Sequence, residues 1–382
     1  AAGPVKNLFL NLDAKLPSLN TDSLYVNIDS VFFNIDQDYF SSVIKLHNLN
    51  LPTVHAKMNA EMDLGKWKKA FGIVPFDVKG KLSLHFTADG SYATTIVKKG
   101  LRQKEGKIIS SIPHFTLQSS LSNGYFKLTS LPEAIQNVSF RLNASNKDGD
   151  YKHTDISIEQ LNANILSDFI KGNFKLDHLT AVDANIQALI HLENIKKYYP
   201  LDSVDLAGNL NVNIISKGNY LPKQKQYPVT NATVSLKDGT LKTPYYPHPI
   251  ENIQLMLEAT NNSGTLADMK FDLKPISFLF EGQPFTLKAN LQNFENLRYD
   301  ITSKGTLDVG KLYQVFSQKS FNVKGFIKTD LILRGLQSDA TAGRYNKLYN
   351  SGTAEIKDIT LTSDYFPKSF FIKTGDFRFN QG

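Results

Sequence analysis

A glycine-bearing strand pattern recurs three times along the chain, and this repeat constrains the fold more than any other feature. The repeated glycines are Gly80, Gly208 and Gly325, so the period is 128 and then 117 residues. Each glycine lies 16 residues after the start of a matching segment, which begins at Leu64, Leu192 and Val309. Equal spacings with matching residue classes indicate tandem copies of one structural unit.

The repeat divides the chain of 382 residues into four parts. We predict the back half of a preceding unit over 1–62, repeat units over 63–190 and 191–307, and the front part of a further unit over 308–382. The chain therefore begins and ends inside units, and we expect it to be a piece of a longer protein.

Apolar and polar residues alternate in most segments, which is typical of antiparallel strands with one covered face. Counting in steps of two from each repeat glycine predicts the inward-facing residues Leu82, Leu84, Phe86, Leu210, Val212, Ile214, Ile327, Thr329 and Leu331. A strand later in the second unit adds Ile253, Leu255 and Leu257.

Helix is predicted only in short pieces, at the same place in each copy. These are Leu64–Phe71, Glu193–Tyr199 and Val309–Phe316, just before the glycine-bearing strand. Each is long enough for two turns with one apolar side, which carries Trp67, Ile195 or Leu312. We expect each helix to cap an edge or end of the sheet.

The predicted fold is all-β: an elongated, repetitive antiparallel sheet curled into a groove, with short capping helices. A sheet with one apolar face must cover that face. It can pack on a second sheet, or it can curl around an apolar ligand. Alternation does not distinguish a groove from the core of a sandwich, so both interpretations stay open. An acyl chain would suit a groove, because each buried methylene contributes about 0.8 kcal/mol.

The net charge of +7 comes mostly from lysines that are scattered singly along strands. The one dense basic run contains Lys98, Lys99, Arg102, Lys104 and Lys107. It lies in the longest link of the first repeat unit, which favours an insertion in a solvated surface loop. The alternative is a contact with lipid headgroups or a protein partner. Aromatic residues follow the apolar alternation, so we expect no nucleic-acid binding.

The residue types needed for catalysis or metal binding are absent or badly spaced. There is no cysteine, and none of the eight histidines has a close partner at metal-ligand spacing. The segment 146–150 imitates the start of a calcium loop, but its glycine is misplaced and position 12 is Ser157. We interpret it as a hairpin turn. We expect a non-enzymatic protein with no cofactor and no metal.

Two stretches resemble a known family. Leu307–Leu312, continuing through Asn322–Leu331, and the later stretch Gly352–Leu361 are similar to the AsmA-like proteins of Gram-negative bacteria. The abundance of Asn, Lys, Tyr and Phe is similar to that of members from Bacteroidota.

The resemblance implies a periplasmic body tethered to the inner membrane through a helix outside this chain. It also implies kinship with bridge-like lipid-transfer proteins, and it carries no catalytic motif. The first functional hypothesis is therefore a lipid-handling module that carries or shields phospholipid acyl chains for outer-membrane and envelope biogenesis. The second is a structural scaffold of the envelope with a closed β core and no ligand. A glycan-binding sandwich is disfavoured by the single tryptophan.

Overall fold

The computed structural model describes residues 4–97, 106–201, 203–316, 321–363 and 366–380. It confirms the all-β, repetitive antiparallel class. The chain divides into two compact units, Ala1–Asn185 and Ile186–Gly382. The predicted repeat boundaries at 62 and 307 fall inside these units. The strand that contains each of these two positions pairs with the strand before it and with the strand after it.

The first unit contains strands that pair in chain order. They are β1 (Val5–Lys15), β2 (Tyr25–Ile35), β3 (Asp38–His47), β4 (Thr53–Asp63), β5 (Phe76–Ser91), β6 (Ala93–Val97), β7 (Gly106–Ser111), β8 (His114–Leu128), β9 (Ile135–Asn146), β10 (Asp155–Ile165) and β11 (Asp168–Asp177). The short strands β6 and β7 form a separate hairpin, and β5 pairs directly with β8. Strand β12 (Ala181–His191) contains the division between the units.

The second unit is a meander in which every strand pairs with the next. Its strands are β13 (Asp205–Asn219), β14 (Val229–Lys242), β15 (Ile250–Asn261), β16 (Lys270–Phe280), β17 (Gln283–Gln292), β18 (Arg298–Asp308), β19 (Phe321–Leu336), β20 (Tyr349–Ser363) and β21 (Phe366–Phe379). All pairings are antiparallel, as short connections between sequential strands require.

The helices among the described residues are short, and all but α4 lie where the repeat predicts them. They are α1 (Leu64–Ala70), α2 (Ile195–Tyr198), α3 (Val309–Phe316) and α4 (Gln337–Thr341), with 3-10 turns at Pro17–Leu19, Thr21–Ser23, Tyr151–His153, Leu192–Asn194, Pro222–Gln224 and Tyr345–Lys347. The second predicted helix is in fact a 3-10 turn followed by the four residues of α2, and α4 was not predicted. Within the described ranges, no helix is both long and apolar enough to span a bilayer.

The repeat glycines have a common structural cause. The pairing register shifts at Gly80, Gly208 and Gly325, which marks a β-bulge in each copy. Their φ angles are 125°, 111° and 115°, a region that side chains with a Cβ rarely adopt. The glycine that recurs three times in the sequence therefore marks a β-bulge that recurs three times in the backbone.

Tertiary packing is concentrated at the strand ends, beside the helices. In the second unit, Tyr246, Ile250, Phe280 and Val315 form a buried cluster, with Leu312 packed against it. In the first unit, the ring of Trp67 lies 5.0 Å from that of Phe33 and 6.3 Å from that of Phe40. The capping role predicted for Trp67 and Leu312 is thus confirmed.

Candidate functional site

The long strands present two chemically different faces. On β13, Leu210, Val212 and Ile214 are partly buried, whereas Asn211 and Asn213 between them are exposed. The period of two places every apolar side chain of such a strand on one face. Amphipathic strands such as β13 therefore give their sheet one mainly apolar and one mainly polar face.

Pairing between strands joins these apolar positions into continuous rows in the second unit. One row runs through Val212, Val234, Leu257, Leu273, Ala289, Ile301 and Leu333. Residues that are directly paired point to the same face of a sheet. We call the face that carries this row the apolar face of the second unit.

The predicted inward-facing residues of the second unit share this face. Leu210 and Leu255 are both in register with Leu236, next to the row that contains Val212 and Leu257. The remaining predicted positions are Ile214, Ile253, Ile327, Thr329 and Leu331, each of them partly buried.

Ile253 and the neighbourhood of Ile327 belong to the closed end of the face. Ile253 packs against the buried cluster around Val315. Ile327 pairs with Leu307, which packs against the same cluster. These two positions therefore support the fold locally, while Leu255 and Leu257 lie farther along the strand from that end.

In the first unit, the predicted residues lie on apolar rows of the same kind. Leu82 pairs with Met62 and Leu121, and Phe86 pairs with Met58 and Leu117. Leu84 lies between them and pairs with Ala60 on one side and Ser119 on the other. All three predicted side chains are partly buried.

Apart from the short hairpin of β6 and β7, the described strands belong to one sheet, so neither unit contains a second large sheet of its own that could pack on the apolar face. The largest fully buried side chains are Ile35, Val315, Asn146 and Asp168, and two of these four are polar. A closed sandwich of this size would bury many large aliphatic side chains, because its core lies between two layers. Most aliphatic side chains of the long strands are instead only partly buried.

The apolar face of the second unit opens into a cavity of about 910 Å³ near its last strands. Its lining includes Leu297, Tyr299, Ile301, Leu333, Tyr345 and Leu348. That volume is within the range of pockets that hold small organic ligands. This cavity was not predicted from the sequence, because one wall is built by α4 and the turn after it. The other wall is formed by strands β18 and β19. Its sequence signal was the apolar alternation, which places Tyr299 with Ile301 and Leu331 with Leu333 on one face.

The polar face carries charged pairs across strands. Lys304 Nζ lies 3.2 Å from Asp330 Oδ2, and Lys328 Nζ lies 3.5 Å from Glu355 Oε1. Such exposed pairs contribute little stability, but they keep this face hydrated.

A polar latch joins α3 to the strand ends. The hydroxyl of Tyr246 donates to Glu281 Oε1 at 2.5 Å, and Lys311 Nζ lies 2.8 Å from Glu281 Oε2. Hydrogen bonds from Lys311 and Tyr246 hold the pKa of the Glu281 carboxyl below its ordinary value. Burial raises the pKa of the Tyr246 hydroxyl. The latch therefore ties α3 to Tyr246, which belongs to the buried cluster around Val315, and its role is structural.

Most of the dense basic run lies outside the described residues, namely Lys98, Lys99, Arg102 and Lys104. Lys107 lies on β7 and is exposed. The flanking hairpin also exposes Ile96 and Ile108, by 56% and 51%. A role in headgroup or partner contact stays a prediction.

The loop-like segment 146–150 is organised as a turn by its own side chains. Asn146 is buried, its Oδ1 accepts from the Gly149 amide at 2.7 Å, and its Nδ2 donates to Asp150 O. The same arrangement recurs between Asn261 and Gly264. Over the described ranges, no group of three or more His, Asp or Glu side chains is placed to hold a metal ion.

Comparisons with protein-family models, curated proteins and solved structures find no match to this chain.

Proposed function

We propose that this chain is a non-catalytic lipid-handling module that carries or shields the acyl chains of phospholipid on the apolar faces of its sheets. The observation that carries the proposal is the row of apolar side chains in the second unit, each of which is only partly buried. A contiguous apolar surface without a partner is unfavourable in water. The solvent-accessible part of this row therefore favours an apolar occupant.

The dimensions of the row suit an acyl chain. Neighbouring strands lie about 4.8 Å apart, so the row from Val212 to Leu333, across seven strands, spans about 29 Å. One leaflet of a bilayer core is about 15 Å thick, so an extended acyl chain fits within the row. At about 0.8 kcal/mol for each buried methylene, a dozen methylenes would contribute about 10 kcal/mol before the costs of binding.

The polar face and the resemblance in sequence suggest where such a module works. The hydrated polar face would let the protein lie in an aqueous compartment while its apolar face carries lipid. The envelope location follows from the resemblance: the module lies in the periplasm, tethered to the inner membrane through a segment outside this chain. The competing scaffold function requires a closed core, which the scarcity of buried aliphatic side chains disfavours.

The first test is chemical extraction of the purified protein followed by mass spectrometry. We expect phospholipid at near-stoichiometric amounts, and a strong reduction in Val212→Asp. The matched control is Asn213→Asp, which adds the same charge on the next residue of the same strand but on the polar face. A lipid-free extract from folded protein that takes up no added lipid would instead support the scaffold.

A second test avoids disruptive substitutions. The chain has no cysteine, so Val212→Cys and Asn213→Cys each provide one labelling site for a fluorophore. Phospholipid with brominated acyl chains should quench the label at 212 and spare the label at 213. Equal quenching at both positions, or none at either, would refute binding on the apolar face.

A further inference from the structure

Histidines are concentrated at one end of the strands of the first unit. Five of the eight lie there, namely His47, His55, His114, His153 and His178. Capping helix α1 lies at the opposite strand ends. None of these histidines is part of the apolar face, so the proposed lipid function leaves them without a role.

Two of them come together from separate turns. His153 ends the 3-10 turn Tyr151–His153, and His178 follows β11. The two imidazole rings have centroids 5.4 Å apart and planes inclined by 59°. The turns are tied together, because the backbone amide of His178 donates to Asp155 Oδ1 at 2.8 Å.

Each ring is paired with a carboxylate through the same nitrogen. His153 Nδ1 lies 2.5 Å from Asp148 Oδ2, and His178 Nδ1 lies 3.2 Å from Asp155 Oδ1. A neutral imidazole that donates from Nδ1 leaves the lone pair on Nε2 available. Histidines that bind metals in proteins are oriented by carboxylates in this way.

We propose that His153 and His178 form a two-histidine site for a divalent transition-metal ion, with water completing its coordination shell. At a metal–nitrogen distance of about 2.1 Å, two tetrahedral imidazole ligands have ring centroids about 5 Å apart, close to the observed separation. Asp148 and Asp155 orient the rings from the second shell. Both side chains are about half exposed, at 48% and 60%, so an ion reaches them directly from solvent.

The test is isothermal titration of the whole chain with ZnCl₂ and with CuCl₂. We expect one equivalent of metal to bind, with Cu²⁺ tighter than Zn²⁺ as its general ligand preference dictates. His153→Gln and His178→Gln should each weaken binding at least tenfold. The matched control is His55→Gln, because His55 Nδ1 also pairs with a carboxylate, Asp89, at 2.8 Å but has no neighbouring ring described beside it.

The Cu²⁺ complex also has a spectroscopic signature. Electron paramagnetic resonance should show two imidazole nitrogens in the wild type and one in either variant. The inference is wrong if no equivalent of metal binds. It is also wrong if the variant that carries both His153→Gln and His178→Gln binds metal as tightly as the wild type. It is equally wrong if His55→Gln weakens binding as much as the two other changes. Lipid plays no part in these measurements, so their outcome is independent of the proposed lipid function.

Discussion

The bulge at Gly208 provides a sharp test of why the repeat carries glycine. An alanine there would keep a φ of 111° and would place its Cβ 2.7 Å from the Cα of Gly239 and 2.7 Å from the carbonyl oxygen of Lys237. Both obstacles are backbone atoms, which cannot rotate away. The left-handed backbone costs about 1–2 kcal/mol for a residue with a Cβ, and overpacking adds about 1–3 kcal/mol. We therefore expect Gly208→Ala to lower the free energy of unfolding of the second unit by about 2–5 kcal/mol.

The matched control is Gly282→Ala in the same unit. Gly282 has a φ of 73°, and a Cβ there meets no heavy atom within 4 Å, so only the backbone cost of about 1–2 kcal/mol applies. Urea denaturation, followed by hydrogen exchange of strands in the second unit, measures the free energy of unfolding of both variants. We expect Gly208→Ala to lower it more than Gly282→Ala does. Equal shifts of the midpoint in the two variants would show that close backbone approach does not explain why the repeat carries glycine at this position. The equivalent change at Gly325, whose Cβ would lie 2.7 Å from the carbonyl oxygen of Asp358, should behave like Gly208→Ala.

Three other substitutions test the closed end and the turns. Val315→Ala removes two buried methyl groups and should lower the free energy of unfolding by about 2 kcal/mol in urea denaturation. The control Val229→Ala, at a site that is 46% exposed, should change it little. Equal losses in the two variants would contradict the buried cluster. The pKa of Glu281 is lowered from 4.5 in the folded protein, so its contribution to stability is present above that pH and is lost as the pH falls through the folded pKa. Glu281→Gln should flatten the acid limb of stability against pH in thermal melts, and an unchanged limb would refute the latch. Asn146→Ala leaves the buried amide of Gly149 and the partly buried carbonyl of Asp150 without their side-chain partner, so it should lower the free energy of unfolding by about 1–3 kcal/mol. The exposed control Asn211→Ala should not share this loss.

Much of the fold was readable because its main determinants are local. Alternation with a period of two follows from strand geometry alone, so Leu210, Val212 and Ile214 could be assigned to one face without any partner strand. The spacing of Gly80, Gly208 and Gly325 likewise reports a backbone conformation that only glycine adopts easily. For the same reason, the capping helices were placed correctly to within a few residues.

Pairing register and the layers beside the sheet are long-range properties, and the sequence did not determine them. That Val212 lies in one row with Leu333, more than a hundred residues later, depends on every intervening turn. The cavity beside Tyr299 depends on α4, a helix too short for its periodicity to be recognised.

The division between local and long-range information also explains the two proposed sites. The sequence by itself determined an amphipathic, repetitive β protein, because a strand's two faces follow from its own residues. Only the tertiary structure decided that the long strands join into one sheet without a second large sheet among the described residues, and that His153 and His178 meet from turns 25 residues apart. Neither property is encoded in any short segment, because each arises from how distant strands pair and where their ends converge.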